Sequence, residues 1–197
     1  IQRAVLPRVL TLQQVAQVIE RTEVDIEVFG FGSLCVMVEG RCALSSWATG
    51  CSPNNAGVCS PASAVRWSED ARGVQARLND VLIDVYAPDE ARGYPTLCKG
   101  RFVVDGRREY ALEEPTSLNT LDVLPQLIDM GVAAIKIEGR QRSAAYVEQV
   151  TRVWRAAIDR AAAAPERYQV APEWSHALAR HAEGQQHTFG AYDRPWR

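Results

Sequence analysis

Five cysteines govern what this chain can fold into, and their placement is uneven. Cys35, Cys42, Cys51 and Cys59 fall in one Gly- and Ser-rich stretch, FGFGSLCVMVEGRCALSSWATGCSPNNAGVCSPASAVRW, and Cys98 follows well downstream in GYPTLCKGRF. Thiolates gathered from two loops hold soft metals, because sulfur binds iron and zinc and small neighbours let the backbone crowd in. A disulfide framework fits less well: the count is odd, and 197 residues is long for a fold that depends on cross-links. Structural zinc usually takes its ligands in Cys-x-x-Cys pairs, and no such pair is present. An iron–sulfur cluster tolerates irregular spacing, because it needs one thiolate per iron and the fold supplies the rest. Spacing alone leaves cluster, zinc and inert buried thiols open.

Hydrophobic residues make up 47% of the chain and charged residues 23%, the balance of an ordinary globular domain. A chain of this length can bury a sizeable core. No apolar run approaches the ~20 residues that span a bilayer. The formal net charge of −2 gives no electrostatic footprint for nucleic acid. The expected location is cytoplasmic.

The pattern of elements is α/β. A strand is predicted over 4–10, then a helix capped by Thr11 with Gln14 as capping-box partner and Leu12, Val15, Ala16 and Ile19 on its apolar face. A buried strand over 26–29 leads into loops through the cysteine region. Strands are predicted over 81–85 and 101–104, the latter turning at Asp105-Gly106 into 109–112 as a hairpin. A helix with Pro125 near its start ends at Met130, with Gly131 beyond it. A buried strand over 132–137 precedes a long helix over 143–164, whose Val147, Val150, Trp154 and Ala157 have core spacing. Strand, helix, strand, helix with short connections suggests parallel βα units. Residues after Pro165 are expected to be irregular, dividing the chain into 1–164 and a 165–197 extension.

EVFGFGSLCVMVEGRCALSS and KIEGR (Lys136–Arg140) resemble the two sequence blocks of the collagenase-like peptidase family U32. The runs SPNNAGVCSPASAVRW, RLNDVLIDVYAPDEARGYPTLCKGRFVVDG and ALEEPTSLNTLDVLPQLIDMGVAAIKIEGRQRSAAYVEQV are similar to the branch of that family that serves anaerobic ubiquinone biosynthesis. The resemblance runs from Arg3 to the terminal HTFGAYDRPWR. It implies a [4Fe-4S] cluster on Cys35, Cys42, Cys59 and Cys98, in loops spanning 35–98, with Cys51 outside the set. It also implies the end of a TIM-barrel-like fold. The chain opens at Ile1 without methionine, so the expectation is the C-terminal part of a longer protein.

In a barrel, residues at the C-terminal end of a strand face the active-site mouth. Lys136, Glu138, Arg140 and Arg142 fall at that end of the 132–137 strand, where alternate residues share a face. Glu138 and Arg140 are the candidate catalytic residues. Lys136, Arg142 and Arg41 are candidates for binding an acidic substrate, since Arg grips a carboxylate through two hydrogen bonds. A structural ion pair is the competing reading for the KIEGR charges, and a charge-balancing role the competing one for Arg41. His176, His181 and His187 lie in the polar last segment and read as surface residues; no H-E-x-x-H is present. Ser45, Ser46 and Ser60 read as turn-formers and possible donors to cluster sulfurs.

The implied activity is an iron–sulfur subunit of an O2-independent hydroxylase in ubiquinone biosynthesis. The resemblance adds a UbiV-like homologous subunit as heterodimer partner, a ubiquinone precursor as substrate and prephenate as hydroxyl donor. Hydroxylation of transfer or ribosomal RNA is the alternative within the family; the low charge counts against it. A peptidase lacks a convincing nucleophile or metal-bound water in the sequence. A metal-stabilised scaffold without catalysis stays open.

Overall fold

The computed structural model describes residues 1–35, 37 and 41–193; the end of the HTFGAYDRPWR run lies outside them. The strands and α-helices, in chain order, are β1 (Arg3–Val5), α1 (Leu12–Glu20), β2 (Asp25–Ser33), α2 (Ala43–Thr49), α3 (Pro53–Ala56), β3 (Val65–Asp70), β4 (Gly73–Leu78), β5 (Val81–Tyr86), β6 (Phe102–Val104), β7 (Arg107–Glu109), β8 (Ser117–Asn119), α4 (Leu124–Asp129), β9 (Ala134–Ile137), α5 (Ala144–Ala163), α6 (Pro172–Ala179) and β10 (His187–Thr188). The chain divides into two units. One is Ile1–Leu34 together with the chain from Thr116 onward; the other is Cys35–Pro115.

In the first unit β2 is the central strand. Glu27 pairs with both Val5 and Ala134, and Phe31 with both Asn119 and Ile137. A strand has two edges, so β9 occupies one and β1 and β8 share the other. The β1 and β9 pairings are parallel, as the βα pattern predicts, whereas β8 runs antiparallel and carries β10. The described strands form open sheets of five, three and two strands and do not close a barrel.

The predicted caps are present. Thr11 Oγ1 accepts the Gln14 N–H at 3.2 Å while Gln14 Oε1 accepts the Thr11 N–H at 2.9 Å. Gly131 ends α4 at φ +84°, a conformation that favours glycine. The first predicted strand is cut to Arg3–Val5, and Pro7, which lacks an N–H for a ladder, follows it. The second extends past Phe29 through Gly30 and Gly32 to Ser33. A Cβ on Gly30 would stand 2.4 Å from Ile135 Cγ2 and 2.8 Å from Trp154 Cη2, so the bare backbone makes room for α5.

Helix α5 covers the sheet with Tyr146, Val150, Val153, Trp154, Ala157 and Ala161, all buried. Trp154 is 1% exposed and packs with Phe31, Leu121, Leu124 and Trp174. Val147 is a correction: it is 46% exposed, and Tyr146 takes the core position instead. The segment after Pro165 is not wholly irregular. It forms α6, with Pro172 in its first turn and Trp174 and Leu178 buried.

The second unit is an antiparallel meander, β3-β4-β5, with the β6–β7 hairpin. Asp105 and Gly106 both have positive φ, 50° and 78°, as a primed hairpin turn requires. Its core is Ala48, Leu78, Ile83 and Leu97. Strand β3 carries too many polar residues to be legible, since five of its six residues are exposed, whereas Val74, Ala76 and Leu78 of β4 alternate with polar residues and went unread.

Candidate metal centre and the carboxyl end of the parallel strands

All five cysteines belong to the second unit, and all are free thiols. Cys35 opens the unit and is exposed. Cys42 is the N-cap of α2, and its Sγ accepts the Ser45 N–H at 3.3 Å. The Ser45 hydroxyl donates to the Cys59 carbonyl, tying the start of α2 to the third cysteine. Ser60 Oγ lies 3.9 Å from Cys59 Sγ as a donor. Cys98 sits in a 3-10 turn, Leu97–Lys99, fixed by Leu97 in the core and by the Glu113 N–H on its own carbonyl at 3.1 Å. Cys51 is exposed just past Gly50, the αL cap of α2, and is held through its backbone to Thr49 Oγ1.

Burial pushes the Cys59 thiol above its usual range; Ser60 opposes this, and Cys35 and Cys42 add like-charge repulsion. Burial pushes Cys98 up to about 12, with Glu113 adding to it, Lys99 opposing, and Cys35 and Cys59 adding again. The charges of Cys35 and Cys42 thus bear on Cys59, and those of Cys35 and Cys59 bear on Cys98. Among the described residues, no three His, Cys, Asp or Glu side chains are drawn together as a metal-holding group. The donors are soft throughout, which suits iron or zinc rather than calcium or magnesium. Arg41 is exposed just before Cys42.

The KIEGR residues belong to the first unit, and the structure separates their roles. Lys136 lies along the sheet, 3.7 Å from Glu27, with its ammonium 5.8 Å from the centroid of the Phe29 ring. Glu138 lies just past β9, its N–H on the Phe31 carbonyl. Its Oε1 accepts the Arg140 N–H at 2.8 Å, closing a local turn. Gly32 at φ +125° permits this crossing, since a Cβ there would stand 2.6 Å from Glu138 Cβ. Arg140 is exposed. Arg142 reaches Glu183 Oε1 at 2.7 Å and Ser33 Oγ at 3.2 Å. Ser33 Oγ donates to the same carboxylate, and Arg8 donates to the Ser33 carbonyl. Glu138, Arg140 and Arg142 thus follow the carboxyl end of β9, and Arg142 meets the carboxyl end of β2 at Ser33.

Two features escaped the sequence reading. Glu183 lies in a polar segment, and nothing local marks it as the partner of Arg142. Asp84 was legible as a lone carboxylate in the apolar run VLIDVY. It is 2% exposed and accepts Arg101 Nε on both oxygens, at 2.9 and 2.7 Å, and Arg108 Nη2 at 3.2 Å. His181 and His187 hold pKa values below the usual range, chiefly because burial disfavours their charged forms. No helix among the described residues is long and apolar enough to cross a membrane.

The chain is 30% identical over 176 residues to tRNA hydroxylation protein P1 of Bacillus subtilis (strain 168), covering 89% of this chain and 36% of that protein. It is 31% identical over 183 residues to tRNA hydroxylation protein P of Escherichia coli (strain K12), covering 82% and 39%. It is 29% identical over 156 residues to the 23S rRNA 5-hydroxycytidine C2501 synthase of the same organism, covering 79% and 19%. The chain therefore spans about a third of the length of the tRNA hydroxylation proteins it matches. No solved structure matches it. The sequence pattern of one family runs through residues 1–194, from β1 past the last described element, and by that match the chain belongs to peptidase family U32.

Proposed function

We propose that this chain is the cysteine-bearing part of an O2-independent RNA hydroxylase, with a [4Fe-4S] cluster on Cys35, Cys42, Cys59 and Cys98. One observation supports the cluster: Ser45, whose N–H donates to Cys42 Sγ, also donates its hydroxyl to the Cys59 carbonyl, so two cysteines from different turns are held by one residue. The RNA substrate is supported by relatives named for tRNA and rRNA hydroxylation. Held by Cys35, Cys42, Cys59 and Cys98, such a cluster would supply one-electron transfer.

The chain's own residues would do the rest. The Ser45 N–H and the Ser60 hydroxyl donate toward ligand sulfurs, which favours the thiolate state. Arg142 is the best-placed group for an acidic hydroxyl donor such as prephenate, since it stands partly exposed at the carboxyl end of the parallel strands. Glu138 and Arg140, joined by the turn beside it, are the candidate catalytic pair, and Lys136 and Arg41 are further cations for acidic groups. We read β1, β2 and β9 as a portion of the family's barrel-like sheet.

A second reading has its own support. The net charge of −2 suits a small or neutral substrate better than RNA. The long runs that resemble the ubiquinone branch would make it a UbiU-like subunit acting with a UbiV-like partner on a ubiquinone precursor.

The test is anaerobic purification with iron and sulfide analysis, followed by a deletion strain grown without oxygen. Loss of hydroxylated nucleosides from tRNA or rRNA, with quinones intact, supports the first reading. Loss of ubiquinone with RNA intact transfers the protein to the second. A colourless, air-stable protein with one zinc overturns the cluster, since zinc has no redox chemistry.

A further inference from the structure

The second unit buries a carboxylate that is gripped by the chain following Cys98. Asp84 of β5 is 2% exposed, while Arg101 and Arg108 converge on it. Arg101 is three residues past Cys98, and Arg108 lies on the hairpin strand between Cys98 and Glu113. Glu113 in turn donates its N–H back to the Cys98 carbonyl. The segment from Cys98 to Glu113 is therefore a loop whose start and end meet at Cys98, and both of its buried-carboxylate arms end on one residue.

The contact is closely built. A Cβ on Gly100 would lie 2.6 Å from the Ile83 carbonyl, so the backbone just after Cys98 presses on β5 next to Asp84. The Arg101 guanidinium also holds Glu90 at 2.6 Å and stacks 5.3 Å from the Tyr86 ring centroid. Burial works against that charge, but the hydrogen bonds that Arg101 donates to Asp84 and Glu90 outweigh it and hold Arg101 above its usual range. Arg108 also donates to the Val85 carbonyl. A buried ion network contributes little net stability compared with an apolar pair of the same volume. What it adds is direction, because Asp84 is held from two chain positions at once, by Arg101 Nε on both oxygens and by Arg108 Nη2 on Oδ1. Leu97 alone would bury this turn without fixing the angle of the thiol.

We propose that Asp84 is a positioning residue for Cys98: it ties down both arms of the loop that presents this thiol to Cys35, Cys42 and Cys59. The inference rests on the reading of Cys98 as a metal ligand.

Its test separates the two ideas. In reduced, metal-free protein, each cysteine is alkylated with iodoacetamide and its rate is followed by mass spectrometry. Asp84→Asn, which keeps the shape and removes the charge, should speed Cys98 by about tenfold, because losing a charge-assisted contact opens the local segment. Cys42 and Cys59 should change by less than about twofold, since neither lies in the segment from Cys98 to Glu113 that Asp84 ties down. Arg101→Lys, which keeps the charge and loses the grip on both oxygens, should fall between. In the reconstituted protein, the half-life of iron against a chelator should shorten in the same order. A purely structural tie would expose all the buried thiols together, and that result overturns the proposal, as does unchanged protection of Cys98. Should Asp84→Asn fail to fold, Arg108→Gln removes one arm only and must show the same selectivity for Cys98. Full iron retention in Cys98→Ala would instead remove the ligand reading while leaving the alkylation result intact.

Discussion

Gly30 of β2 lies directly beneath Trp154 of α5: a Cβ on residue 30 would stand 2.8 Å from Trp154 Cη2, too close for any real contact. The 20-residue helix can rest on the sheet only because that position has no side chain. Gly30→Ala should therefore destabilise the first unit by about 1–3 kcal/mol, the range for overpacking a tight core. Denaturant unfolding measures it. Trp154→Phe trims the ring, so the double variant should lose less than the sum of the two single changes. Strict additivity would show that the two residues do not press on each other.

The Arg142–Glu183 pair joins the end of β9 to the polar segment after α6. Both side chains are about a fifth exposed, 22% and 21%, so the pair is neither solvated nor sealed. A double-mutant cycle with Arg142→Gln and Glu183→Gln should give a coupling of about 1 kcal/mol, near the upper end for exposed pairs. Hydroxylation and stability should be measured on the same variants. If Arg142 binds an acidic donor, Arg142→Gln loses activity by more than its loss of stability explains, whereas Glu183→Gln does not.

Helix starts offer a cleaner test of local reasoning. Thr11→Ala removes a capping box and Ser143→Ala removes the oxygen that accepts the Tyr146 N–H at 3.1 Å. Each should cost about 1 kcal/mol. Glycine at either position should cost only a few tenths of that unit, because it still suits the cap backbone. Thermal unfolding of the four variants orders them.

Three tyrosines of the first unit resist ionisation. Burial pushes Tyr146, Tyr168 and Tyr192 from 10.0 up to about 12. The folded values exceed the unfolded one, so the folded state holds its protons longer. This stability is complete below pH 10 and is lost as pH rises from 10 towards 12. The ultraviolet absorbance of tyrosinate should appear near pH 10 in the chain unfolded by urea and distinctly later in the native protein. Tyr146→Phe should weaken the alkaline loss, at a cost near neutral pH of about 1 kcal/mol for its hydrogen bond to the Glu138 carbonyl. Native and unfolded titrations that coincide would contradict this burial.

Local chemistry was what the sequence displayed best. Thr11 with Gln14, Asp105-Gly106 and Gly131 each encode a turn or cap within a few residues, and each forms as read. The long helix was legible from its period, except that Val147 and Tyr146 are neighbours and only packing decides which faces inward. Strand β3 was illegible because an edge strand with five exposed residues has no apolar alternation. At the candidate site, Arg142 was visible but its partner was not, because a contact between residues 142 and 183 is set by topology rather than by spacing. Asp84 shows the reverse: the anomaly stood in the open, a carboxylate in a hydrophobic strand, while its meaning depended on two arginines from a loop not yet folded around it.

Ser33 and Ser117 face each other in register across β2 and β8. The chain leaves the first sheet at one and returns at the other, and Cys35–Pro115 lies between them. The sheet thus asks one thing of all that chain, that its two ends come back to the same rung. Loop-closure entropy grows only slowly, by about 0.6 kcal/mol for each doubling of length. An insertion mounted in this way can be lengthened, trimmed or exchanged over evolutionary time with small consequences for its host. A fold of this kind can keep its sheet while the cysteine-bearing insert is rewritten for another task.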